Sequence, residues 1–253
     1  MRLFAEIHNK RDVMILRKWK DPPIQMQTPE VERYYNILKD KKAELLIKRI
    51  ADIFLSGLLL VLLSPVFAVT AIAIKLDSKG PVFYRQVRVT QYAERFSIFK
   101  FRSMVTDADK GIQLTVNNDS RITRTGRFIR KLKIDELSQL IDVFRGKMTF
   151  VGTRPEVPKY VDKYTDEMMA TLLLPAGITS LASVYYKDEN QLLDESDDPE
   201  KTYFETVLPD KMYYNLKAIE EFSLIEETKV VFMTVLAVLG KEFSSKESQT
   251  AKN

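Results

Sequence analysis

Cysteine is absent from all 253 residues, which excludes disulfides, Cys-based metal sites and thiol nucleophiles. Histidine occurs once, at His8, far from every motif, so catalysis by a histidine is not expected. Glycine is scarce, at eight residues, and none falls in a GxxxxGK or GxGxxG pattern. That argues against a P-loop or a Rossmann nucleotide site. Neither charge sign dominates, since the net charge is +4, but the charges are unevenly spread. Residues 81–133 hold twelve Lys or Arg against four acidic residues, whereas residues 188–227 are rich in Asp and Glu. A basic first half suits phosphates or an anionic membrane surface. The aromatic–basic interleaving of an RNA-binding sheet is missing, so no nucleic-acid partner is expected. The length suits one globular unit with an appended segment.

The densest stretch is 131–155, KLKIDELSQLIDVFRGKMTFVGTRP. Asp135 and Glu136 sit where a helix is expected to begin. Leu137, Leu140, Ile141 and Phe144 follow at i, i+3, i+4, i+7 spacing, giving one apolar face, and Gly146 ends it. Arg121, Arg124, Arg127 and Arg130 recur upstream, and Arg154 lies downstream. A carboxylate pair between arginines suits chemistry on a diphosphate with a divalent metal. Guanidinium forks match phosphate oxygens, and Mg²⁺ takes carboxylate oxygens. An aspartate in a first helical turn is favoured as an anion and could act as nucleophile or ligand. Ordinary helix capping by the same two residues is the competing reading.

Ile53–Ile74 is a run of 22 residues without a charge, long enough to cross a bilayer. It starts too late and runs too long for a signal peptide. Lys41, Lys42, Lys48 and Arg49 precede it, and Lys75, Lys79, Arg85 and Arg88 follow, so the basic flanks choose no orientation. Ser64 and Pro65 lie at its centre. Proline breaks or kinks a helix there, and the serine hydroxyl can satisfy a freed carbonyl. A kinked spanning helix and a bent hairpin that returns to the same face both fit. In the hairpin, both basic flanks meet one leaflet, at about 1 kcal/mol per close Lys or Arg. Asp52, at the start, reads as a helix cap or a partner of Lys48 or Arg49.

Elsewhere, Glu30–Ile50 reads as one helix able to lie along a membrane interface. Val82–Tyr84 and Phe96–Phe101 read as short strands. Glu156–Leu174 reads as a helix with Tyr160 and Tyr164 on one side, and Lys187–Glu200 as a solvated acidic loop. Val230–Leu239 is apolar all round and suits a membrane surface. Residues 1–29 carry no motif, and those from Lys241 read as disordered. The expected fold is α+β, mostly helical with a few short strands. It divides into an extension (1–47), a membrane helix (48–75), a catalytic domain (76–240) and a tail (241–253).

The string IDELSQLIDVFRGKMTFVGTRP resembles the core motif of the bacterial sugar transferases, the monotopic phosphoglycosyl transferases that act on polyprenyl phosphate. GPVFYRQVRV (Gly80–Val89) and FSIFKFRSM (Phe96–Met104) resemble two further family blocks. Asp142, Lys147 and Thr153 depart from the family's Asn, Asp and Pro. In LPAGITSLASV, Ala176 is inserted and Ser180, Leu181 and Ser183 replace Gly, Trp and Gln, which leaves sugar and base specificity open. Glu227 and Lys229 stand at an Asp and a Lys of the family's C-terminal block. The resemblance runs from about Lys48 to Leu239.

It implies a re-entrant helix broken at Ser64-Pro65 and a monotopic enzyme on the cytoplasmic face of a bacterial inner membrane. It implies transfer of a sugar phosphate from a nucleoside-diphosphate sugar, a UDP-sugar first of all, to polyprenyl phosphate with release of UMP. That is an opening membrane step of surface-glycan or exopolysaccharide assembly. Asp135 would be the nucleophile. Glu136 would help hold Mg²⁺, with Asp135, or assist protons. Arg130 and Arg154 would bind phosphates, with Lys100, Arg102 and Arg88 as further candidates, and Glu227 as a possible site residue. Membrane lipid is an implied partner, and a homodimer is allowed. Two other classes remain. One is a metal-dependent glycosyltransferase using Asp107 and Asp109, which would release UDP. The other is a non-catalytic membrane-anchored binding protein.

Overall fold

The computed structural model describes residues 16–105, 121–186, 189–194, 196–241 and 243. Asp107 and Asp109, His8 and nearly all of the expected tail lie outside the described residues. The architecture is α+β, mostly helical with four short strands among the described residues.

Thr28 caps the first helix, α1 (Pro29–Asp40), its side chain accepting from the Val31 N–H, with a proline at the helix start. The expected single helix over 30–50 is two. Lys41 breaks it, and α2 (Lys42–Leu62) follows. Their roles differ. Val31, Tyr34, Tyr35 and Leu38 of α1 enter a core with Met26, the 3₁₀ segment Met168–Leu173, and Leu216 and Ile219. The tyrosines of α1 are thus buried in protein, while Leu46, Ile47 and Ile50 of α2 are exposed.

After Leu63 the chain bends by 61° into α3 (Ser64–Asp77). Ser64 Oγ donates to the Val61 carbonyl at 2.8 Å, answering the acceptor that Pro65 leaves free. No single described helix is long and apolar enough to cross a membrane, but this bent pair is, taken together. Phe54, Val61, Leu62, Val69 and Ile72 lie exposed along it. Asp52 is not a cap, because α2 begins ten residues earlier. It is buried, accepts from Thr149 Oγ1 at 2.5 Å and faces the Phe150 N–H at 3.4 Å. Lys48 donates to the Val151 carbonyl at 3.0 Å and pairs with Glu227. Three polar side chains of one helix face therefore hold α2 to the strand Met148–Val151, since Arg49 also reaches the Val143 and Met148 carbonyls at 3.3 Å.

The two expected strands form an antiparallel hairpin, β1 (Phe83–Val89) and β2 (Arg95–Phe101), longer than the alternation suggested. Lys100 pairs with Tyr84, and Phe99 with Arg85. After α4 (Arg124–Lys131) come two short helices, α5 (Ile134–Leu137) and α6 (Leu140–Phe144), where one helix was expected. Of the expected apolar face only Leu140 is fully buried, and Phe144 is 51% exposed beside α2. β3 (Met148–Val151) runs parallel to β4 (Ala176–Thr179), a pair the sequence did not announce. The two chains approach so closely that a Cβ on Gly177 would stand 2.2 Å from the Gly152 nitrogen.

The expected helix over 156–174 is only α7 (Pro158–Val161) and the 3₁₀ segment. After α8 (Leu181–Tyr185), the described part of the acidic stretch carries two short helices, α9 (Glu189–Asp194) and α10 (Pro199–Thr202), where a loop was expected. Leu193 is buried, and Glu189 pairs with Lys211 at 2.9 Å. α11 (Leu208–Glu220) returns to the core, and α12 (Leu224–Val238) leaves Ile225, Phe232, Val235 and Val238 exposed.

Candidate active site

Lys133 adopts a left-handed conformation, φ 56°, and so turns the chain sharply out of α4 into α5. For a non-glycine residue that costs about 1–3 kcal/mol and recurs at functional sites. The turn buries Asp135, which is 7% exposed. Its Oδ2 lies 3.6 Å from Lys100 Nζ, whereas Oδ1 is buried without a hydrogen-bond partner among the described residues. Glu136 Oε1 lies 3.4 Å from the same Lys100 Nζ and accepts from Arg154 Nη2 at 2.6 Å. Three separate segments converge here: β2 brings Lys100, α5 the carboxylates, and the loop after β3 Arg154.

The two carboxylates are not equivalent. Burial is the largest influence on Asp135 and pushes its carboxyl up, against the pull of Lys100 and, further away, Arg130 and Lys133. Glu136 also pays for burial, but Arg154 and Lys100 outweigh it and hold the carboxyl well below its ordinary range. Glu136 in turn holds Arg154 firmly protonated. The macrodipole expected to favour the Asp135 anion is small, since α5 has only four residues. Glu136 is therefore a fixed anion locked to two cations, and Asp135 keeps one oxygen uncommitted.

The other sequence candidates divide. Arg130 ends α4, acts on Asp135 through its charge and makes no hydrogen bond from its side chain among the described residues. Arg88 donates to Gln86 Oε1 at 2.7 Å and the Pro155 carbonyl at 3.1 Å, and stands 4.0 Å from Glu156, which accepts from the Tyr203 hydroxyl at 2.6 Å. Arg102 is not turned to the carboxylates. It is buried under the end of α3, donating to the Ser78 and Lys79 carbonyls at 2.8 and 2.7 Å, so its guanidinium serves as a helix terminator. Glu227 belongs to the clasp with Lys48, not to the Asp135–Glu136 pair. Sequence reading missed that clasp and the role of Thr149. The available signal was three charges, Lys48, Arg49 and Asp52, at helical spacing where an apolar run begins.

Asp135 and Glu136 are the two carboxylates here that could take part in holding a divalent cation. Among the described residues no group of three His, Cys, Asp or Glu could hold a metal alone. Mg²⁺ commonly uses one or two carboxylates and takes its remaining oxygens from phosphates and water. The unpartnered Asp135 Oδ1 matches that need.

The bacterial sugar transferase family matches residues 43–241. The chain belongs to this family. A UDP-glucose:undecaprenyl-phosphate glucose-1-phosphate transferase of Klebsiella pneumoniae is 37% identical over 74% of this chain and 39% of its own length. A UDP-N-acetylgalactosamine-undecaprenyl-phosphate N-acetylgalactosaminephosphotransferase of Aeromonas hydrophila is 36% identical over 76% of this chain and 44% of its own. The exopolysaccharide production protein PSS of Rhizobium leguminosarum bv. phaseoli is 33% identical over 79% of this chain and 100% of its own. The chain thus spans less than half of the first two relatives and the whole length of the third.

Proposed function

We propose that this family member transfers a sugar phosphate from a UDP-sugar to polyprenyl phosphate at the cytoplasmic face of a bacterial inner membrane. The observation that carries the reading is the asymmetric pair: a buried Asp135 with a free oxygen beside a Glu136 fixed by Lys100 and Arg154. The names of the relatives support the donor and acceptor classes.

An Asp135 oxygen attacks the phosphorus next to the sugar. The bond from that phosphorus to the bridging oxygen breaks, and UMP leaves with the electron pair. The product is a sugar-phosphoryl aspartate. A phosphate oxygen of polyprenyl phosphate then attacks the same phosphorus, and the aspartyl oxygen leaves, restoring the carboxylate. Arg154, Lys100 and Arg130 offset charge on the phosphates, and Arg88 lies further along the same hairpin. Glu136 keeps Arg154 and Lys100 in register. Mg²⁺, held by Asp135, Glu136 and the diphosphate, would supply charge neutralisation during phosphoryl transfer. One carboxylate serving both half-reactions suits a water-soluble donor and a membrane-bound acceptor.

The bent α2–α3 pair would enter and leave one leaflet, with the exposed apolar residues of α12 lying on the same surface. Purified protein incubated with polyprenyl phosphate and a panel of UDP-sugars tests the reaction. UMP as the released nucleotide is expected, and UDP instead would overturn phosphoryl transfer.

A further inference from the structure

The hairpin face opposite Lys100 carries a second cationic cluster. Arg85 lies across from Phe99 in the register, with its guanidinium carbon 3.3 Å from the ring centroid. Arg145, just after α6, brings its guanidinium carbon to 5.8 Å from the same centroid. Both arginines are exposed. Arg85 donates once, to the Ser97 carbonyl, and the Arg145 side chain makes no hydrogen bond or ion pair among the described residues. Asp142 is the carboxylate that acts on both, yet it is 2% exposed and turned inward onto the Phe99 N–H. Two guanidiniums gathered at one ring, with their nearest carboxylate spent on the backbone, leave positive charge and free donors for an outside anion.

The position of the cluster says which anion. Phe144, beside Arg145, packs against Gly57 in the uncharged run, where a Cβ would stand 3.2 Å from the Phe144 ring. Phe99 meets Phe83 edge-on, Phe83 meets Phe101, and Phe101 meets Phe67 of α3. Arg145 thus follows directly on the residue that packs against α2, the helix that also exposes Phe54, Leu55 and Leu58, and the ring that the two arginines share is joined to α3 through Phe83 and Phe101.

We propose that Arg85 and Arg145, gathered at Phe99, bind the phosphate of an anionic phospholipid at the edge of the membrane helices. The inference rests on the membrane-seated reading above. Guanidinium forks match phosphate oxygens, and the Phe99 and Phe144 rings offer apolar surface to the glycerol backbone and upper acyl chain.

Native mass spectrometry of the full chain in detergent, titrated with phosphatidylglycerol, phosphatidylcholine or polyprenyl phosphate, tests this without any turnover. Failure of the transferase reading would therefore leave the test intact. Phosphatidylglycerol is expected to bind more tightly than phosphatidylcholine. The Arg85→Gln/Arg145→Gln variant should bind it about 25-fold more weakly, at roughly fivefold per arginine. Lys20→Gln/Lys39→Gln, which removes the same charge from exposed lysines elsewhere, should bind it normally. Equal phosphatidylglycerol retention by all three proteins would overturn the site. Loss of polyprenyl phosphate alone in the arginine variant would overturn the phospholipid assignment and give the cluster to the acceptor.

Discussion

Asp142 Oδ2 accepts the backbone N–H of Phe99 at 2.7 Å. Ser138, one helical turn earlier, donates its hydroxyl to the Phe99 carbonyl at 3.0 Å. Both backbone groups of one strand residue are thus gripped by the helical stretch that carries Asp135 and Glu136. The next strand residue is Lys100, so this grip sets the lysine against both carboxylates. The geometry of the Asp135–Glu136–Lys100 cluster rests on a strand-to-helix weld made of ordinary hydrogen bonds.

The weld has a pH signature. Burial pushes the Asp142 carboxyl up to about 6, while the Phe99 N–H, Arg85 and Arg145 pull the other way. A carboxyl whose folded pKa is raised binds its proton more tightly in the folded state. Its contribution to stability is full below its unfolded value near 4 and is lost as pH rises to about 6. Asp142→Asn, which restores the residue of the family motif, keeps an oxygen for Phe99 and removes the ionisation. It should be more stable than the parent at pH 7.5, by about 1–3 kcal/mol, and nearly equal at pH 4. Chemical denaturation at the two pH values checks this, and turnover should persist.

The clasp between α2 and the domain makes a second prediction. Lys48 is buried, and its partner Glu227 is 18% exposed. Removing one member of such a pair strands the other, at about 3–5 kcal/mol for a fully buried pair. Glu227→Ala should lower stability by about 3 kcal/mol, read as a shift of the denaturation midpoint. Lys48→Met/Glu227→Leu, which removes both charges, should recover much of the loss. An unchanged midpoint in Glu227→Ala would show that the pair contributes nothing.

Legibility in the sequence followed the range of the interactions. The broken apolar run was readable because its signals are local: 22 uncharged residues with Ser64 and Pro65 at the centre. That Arg154 meets the carboxylate pair was readable from motif order, and the hairpin strands from alternation. What escaped was set by distant partners. Asp52 reads as a cap until Thr149 and Phe150 arrive from β3. Arg102 reads as a phosphate ligand until α3 ends above it. The four-residue strands β3 and β4 are too short to carry a period and exist because they pair with each other. The helix expected from Leu137 to Phe144 divides at Ser138 and Gln139, where the backbone closes tighter i→i−3 turns, and the apolar residue Phe144 faces α2 instead of the core.

Topology can be read by labelling, because the chain has no native cysteine. Single cysteines at the exposed positions 43 and 79 should react from the same side of inside-out vesicles if α2 and α3 return to one face. Labelling from opposite sides would sink the re-entrant arrangement. Pro65→Leu restores a backbone donor at the bend and should shift the segment towards spanning, with reduced turnover. Because the bend also rests on Ser64, whose hydroxyl holds the Val61 carbonyl, Ser64→Ala/Pro65→Leu should shift it further.

The last prediction concerns Asp135 and separates nucleophile from structural carboxylate. If Asp135 forms the aspartyl phosphate, Asp135→Asn should lose turnover by about 10³-fold or more, since an amide cannot make that bond. The fold should survive. Oδ1 has no partner to lose, and Oδ2 faces Lys100 at 3.6 Å, which an amide oxygen can also face. Glu136→Gln should fail differently. It weakens the hold on Arg154 and Lys100, so activity should fall sharply while some donor binding remains. Parent protein given UDP-sugar without acceptor should release UMP up to one equivalent and gain the mass of a sugar phosphate. Peptide mapping should place that mass on Asp135, and the adduct should vanish when polyprenyl phosphate is added. Near-normal turnover in Asp135→Asn would reduce the residue to a buried structural carboxylate and require direct transfer from donor to acceptor.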